Sequence, residues 1–235
     1  MERLFLQEHL LLSHTKFILM TNFQILLESG MFFAEGIAAF IALLFFNKTK
    51  STHYVYFCIF LIFIFACEMF GKFGDSFFTY KKKYFFNYLV IPLEFIFFYW
   101  LYAYKSLKNK KIFYTISALF VLSYIPHELY YVNSKHVFSF NYTFGSLLLM
   151  FLVIMEYYKQ INSENILHFT ENKMFYINLG VTLFYIGTLP FWTFYFQIFE
   201  YKKIWDMYLI YFRITGITMY LLFASSFIWG KQSYS

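Results

Sequence analysis

The chain is short of charge, proline and cysteine. Only 14% of its 235 residues are charged, against about a quarter in soluble domains. With 60% hydrophobic residues and a mean hydropathy of +0.54, most positions cannot face water, and a soluble globular fold is excluded. The two cysteines, Cys58 and Cys67, fall in one predicted helix nine residues apart. At 1.5 Å rise they stand ~13 Å from each other, too far for a disulfide, and they read as buried apolar thiols.

Other absences narrow the chemistry. His127-Glu128 opens like a zinc-protease helix, but the second histidine would be at position 131, which is Tyr131. The chain has no His/Cys cluster for a metal, no nucleophile elbow and no phosphate loop, so no cofactor, metal or catalytic residue is implied. From Trp205 to Trp229 there is no lysine, which argues against a retinal protein. The proline-glutamine signature of seven-helix sugar and amino-acid carriers is missing, and no repeat relates the two halves. The formal charge is +6, but the lysines lie in short loop runs such as Lys81-Lys82-Lys83 and Lys105 to Lys111. That pattern fits membrane topology and anionic headgroups, and no nucleic acid partner is expected.

What the chain does have is a series of apolar runs near the ~20 residues that cross a bilayer. Spans are expected over 22–46, 54–75, 85–104, 112–132, 137–158, 174–198 and 205–229. The fold class is therefore an all-α membrane protein, a bundle of seven transmembrane helices with short loops. Residues 1–21 form a short N-terminal segment, with an interfacial helix as its candidate structure, and 22–235 form the transmembrane domain. Residues 1–21 show no cleavable-signal pattern. Seven spans put the termini on opposite sides, and the lysines between spans three and four favour a cytoplasmic C-terminus. The bilayer is the first partner, and a second protein or another copy of the chain is expected beside it.

Aromatics make up 27% of the residues, with 37 Phe and 23 Tyr. An A/T-rich codon bias accounts for them better than a stacking surface does. In span one Gly30, Ala34, Ala38 and Ala42 recur every fourth residue, a stripe that lets helix backbones approach closely. Packing within the chain and a dimer contact both fit it.

Ionisable groups inside spans are costly and mark functional candidates. Glu28 and Glu35 fall in span one, Glu68 and Lys72 in span two, Glu94 in span three, His127 and Glu128 in span four, and Arg213 in span seven. Alternate spans run in opposite directions, which gathers nearly all of them in the membrane half nearest the N-terminus. Glu68, Lys72 and Asp75 share one helical face, and Glu68 is placed to pair with Lys72. Pro92 precedes Glu94 by two residues, Pro126 adjoins His127 and Glu128, and Pro190 interrupts span six. Prolines beside acids suggest broken helices lining a polar cavity.

The expected ligand-binding set is Glu94, Glu68, Glu128, Arg213, Lys72, His127 and Glu28. It would form an acidic, polar pocket open to the N-terminal side, taking a small polar ligand or protons in a receptor- or sensor-like protein that signals through a partner. One alternative is a carboxylate-dependent lipid hydrolase using Glu94 and Glu128. Another is a pore-forming or accessory membrane protein of a bacterial defence system. Acid–base pairs that merely tie helices together are the competing structural reading.

The segment Tyr88-Leu-Val-Ile-Pro-Leu-Glu-Phe-Ile-Phe-Phe-Tyr resembles the third span of a group of seven-helix membrane proteins common in Bacteroidota-type bacteria. Phe175-Tyr-Ile-Asn-Leu-Gly in span six and the last span ending at Trp229 are similar to the same group. The resemblance implies a seven-helix architecture and carries no established activity.

Overall fold

A computed structural model describes residues 22–74, 85–125, 139–163, 166–194, 197–198 and 200–231. Among these residues the structure is helical, and the single β-type pairing is an isolated bridge between Asn172 and Lys231. The helices are α1 Asn22–Thr49, α2 Tyr54–Phe73, α3 Phe86–Ser106 and α4 Lys110–Leu122. After them come α5 Ser139–Ile161, α6 Lys173–Thr193 and α7 Lys202–Ile228. All but α4 are long and apolar enough to cross a membrane, which makes six such helices.

Helix α4 starts only four residues after α3 ends. Lys108 takes a left-handed backbone (φ 56°), and the Asn109 side chain then caps α4 by accepting the Ile112 N–H at 3.1 Å. The chain thereby reverses, and α4 runs back along α3. Near its far end the Tyr124 hydroxyl donates to the Asn87 carbonyl, at the start of α3 (3.2 Å). Only the first part of the expected fourth span is described. Pro126, His127 and Glu128 lie outside the described residues, as do residues 1–21 and Asp75.

The helices pack as a ring in which α7 closes on α1. Helix α1 lies between α2 and α7, α7 also packs on α6, and α5 touches α3, α4 and α6. Between α2 and α3 the contact is made by rings: Phe60 stacks on Phe97 with centroids 4.0 Å apart. Most of the small-residue stripe is consumed inside this ring. Ala34, Ala38 and Ala42 are buried, and a Cβ on Gly30 would meet Ile217 of α7 at 3.3 Å. The outer surface is the apolar one. Leu26 and Phe33 are about two-thirds exposed (66% and 67%), which suits lipid and would be a liability in water.

Two of the three prolines leave the same mark. Pro92 follows the π-helical segment Phe86–Val90, and Pro190 follows another, Thr182–Ile186. Proline removes an N–H and crowds the turn before it. The chain answers with wider turns, in which Ile91 N–H donates to the Phe86 carbonyl and Gly187 N–H to the Thr182 carbonyl. A third π-helical segment, Trp100–Ser106, ends α3. The broken helices expected from the prolines are thus widened helices, and such turns often stand at functional sites.

Candidate functional site

Glu94 lies in the short α-helical stretch Ile91–Tyr99, between two π-helical segments of α3. It is buried, 5% exposed. Across the ring, the Tyr185 hydroxyl donates to Glu94 Oε1. Tyr185 belongs to the π-helical turn of α6, so both partners stand where a proline has re-aimed the helix. The Tyr185 ring is held edge-on by Phe95 and Phe98 and stacks on Tyr142 of α5 at 6.2 Å.

A second buried carboxyl, Glu35 of α1, is 4% exposed, with the hydroxyl of Tyr220 beside it. Glu35, Glu68 and Glu94 lie within electrostatic reach of one another, and all three reach the Cys67 thiol. The structure therefore gathers carboxyls from α1, α2 and α3 with tyrosines from α5, α6 and α7. Glu94 Oε2 and Glu35 Oε1 are buried and have no hydrogen-bond partner among the described residues. Buried acceptors left open in this way call for an explanation.

The other expected residues go elsewhere. Arg213, fully buried, donates to the Gln24 carbonyl at 3.1 Å and stands 3.6 Å from Glu28. The Gln24 side chain in turn reaches Asp206 at 3.4 Å. These contacts join α1 to α7 and leave Glu28 and Arg213 paired with each other. The ammonium of Lys72 sits 3.9 Å over the Phe32 ring, in place of the expected pairing with Glu68. Glu128, the second carboxylate of the hydrolase alternative, and His127 lie outside the described residues.

Several polar groups of the bundle carry little signal of their own in the sequence. Tyr185 and Tyr220 were indistinguishable among 23 tyrosines. Glu35 is one of two acids in span one, and its spacing of seven from Glu28 puts both on one helical face. Asn178, seven residues before Tyr185 on α6, is fully buried, and among the described residues its side-chain amide has no hydrogen-bond partner. At the opposite end of the bundle Glu156 is 1% exposed. It accepts from Ser106 at 2.6 Å and from Gln160 at 3.0 Å, while Lys159 bonds the Ser106 carbonyl and hydroxyl. Its i+3 and i+4 partners were visible in the sequence.

That opposite end is basic. His53, in the turn between α1 and α2, lies within electrostatic reach of Lys105, Lys159, Lys173 and Lys108. Burial chiefly, and then these cations, push its imidazole down to about 4. No described group of three or more His, Cys, Asp or Glu residues is arranged to hold a metal ion. No family model, no curated protein and no solved structure matches this chain.

Proposed function

We propose that the protein is a receptor- or sensor-like membrane protein whose carboxyl–tyrosine cluster of Glu35, Glu68 and Glu94 takes up protons or a small cationic ligand. The observation that carries this reading is the pair of open buried oxygens, Glu94 Oε2 and Glu35 Oε1, in a site already holding three carboxyls. Glu94 and Glu35 each leave one buried acceptor open, and a proton or an ammonium-bearing ligand would satisfy both. Binding would shift α3 against α6, because Glu94 and Tyr185 link these two helices at their widened turns. A partner protein in the membrane would read the movement.

The same proposal takes α4, continued beyond Leu122, as a seventh crossing, in keeping with the resemblance to seven-helix bacterial proteins. It places the chain in a bacterial inner membrane, with the Lys105–Lys111 end cytoplasmic by the positive-inside tendency.

Infrared difference spectroscopy on the purified protein in nanodiscs tests it. Spectra are taken between neutral and acid pH, and with and without small alkylammonium compounds. A buried carboxyl C=O band that responds, and disappears in Glu94→Gln or Glu35→Gln, is the expected result. Spectra identical in wild type and both variants would reduce the cluster to packing.

A further inference from the structure

A groove of about 660 Å³ runs down the outer face between α2 and α3, within the range of ~300–1,000 Å³ that suits ligand sites. Its walls include Tyr56, Phe63, Leu93, Trp100 and Tyr104, and Lys105 stands at one end. It exists because α2 and α3 meet through stacked rings, which hold the helices apart where the rings stop.

Its length and its charge both point to one occupant. Leu93 and Lys105 are twelve residues apart, ~18 Å along a helix, close to one leaflet of a ~30 Å hydrocarbon core. Trp100 and Tyr104 lie in the segment that ends α3, and aromatic side chains near the ends of membrane helices are enriched at the headgroup level. Two ammonium groups share the Tyr104 ring: Lys105 lies 5.3 Å and Lys110 5.5 Å from its centroid. Lys105 also covers Trp100 at 5.2 Å. Among the described residues neither lysine forms an ion pair. The nearby buried acid, Glu156, is engaged by Ser106 and Gln160.

We infer that this groove binds an anionic phospholipid, one acyl chain lying along α2 and α3 and the phosphate resting between Lys105 and Lys110. The inference is independent of the carboxyl–tyrosine cluster, which faces the interior.

Trp100 provides the readout. The test uses a Trp229→Phe variant, because Trp229 is exposed whereas Trp192 and Trp205 are buried, and Trp100→Phe in that background sets the baseline. Vesicles contain either brominated phosphatidylglycerol or brominated phosphatidylcholine at equal mole fraction. We expect Trp100 to be quenched by the anionic lipid with roughly five-fold or greater preference, as an attraction of about 1 kcal/mol per surface lysine implies. In Lys105→Gln/Lys110→Gln the preference should fall close to one. Equal association of both lipids with the wild-type lysines would overturn the inference, as would a preference that survives in the double variant. Displacement of the brominated lipid by inorganic phosphate would also overturn it, by revealing a site for free anions.

Discussion

Glu94 and Tyr185 show what a single residue does here. Substituting glutamine keeps an acceptor for the Tyr185 hydroxyl and removes the carboxylate. Groups held for function commonly reduce stability, so Glu94→Gln is expected to unfold at higher temperature, by the equivalent of about 0.5–2 kcal/mol. A marked fall in melting temperature would make Glu94 a structural tie. Tyr185→Phe leaves Glu94 without its donor, at a cost of about 1–3 kcal/mol. His53 bears on pH. Its folded value near 4 lies below the ordinary 6.5, so between those values the unfolded chain binds the extra proton. The contribution of His53 is complete above about pH 6.5 and is lost as pH falls toward 4. Melting curves across that window should slope less in His53→Gln than in wild type.

At the scale of the helices, close approach is the determining property. A Cβ on Gly145 of α5 would lie 2.7 Å from the Phe120 ring and 3.0 Å from that of Phe95. Gly145→Val is therefore expected to cost about 1–3 kcal/mol through overpacking, measurable as a lower melting temperature. The Arg213 contacts are the counterpart on α1 and α7. Arg213→Met removes the buried guanidinium that stands beside the half-buried Glu28, an expected cost of about 1–3 kcal/mol. Adding Glu28→Gln should restore part of that loss, and the four-way comparison of melting temperatures measures the coupling. If the double variant is no better than Arg213→Met, the two residues do not act as a pair.

Over the whole molecule, the sequence was most legible where one physical rule dominates. Bilayer thickness sets helix length, so six of the seven apolar segments stand within a few residues of their expected bounds. Pro92 and Pro190 located two of the three widened segments, because a missing N–H acts within one turn of the chain, whereas Trp100–Ser106 has no proline to announce it. The cluster was only half legible. Glu35, Glu68 and Glu94 stand out as acids in apolar runs, but their convergence with Tyr185 and Tyr220 depends on which helices are neighbours. The sequence pattern alone does not specify that order, and so Arg213 and Glu28, both expected in the site, are not recognisable there as each other's partners. Because α7 packs against both α1 and α6, a chain ending after Thr193 is expected to yield no monodisperse protein on size exclusion, unlike the full chain.

The bond from Arg213 to Gln24 spans 189 positions of sequence, and this has a consequence in time. At ~5–20 residues per second of synthesis, roughly 10–40 s separate the emergence of α1 from that of its partner. For that interval Glu28 sits on a newly made membrane helix whose guanidinium does not yet exist. The seam between α1 and α7 is therefore among the last contacts the chain can make, and a ribosome stalled before Arg213 would leave α1 without it.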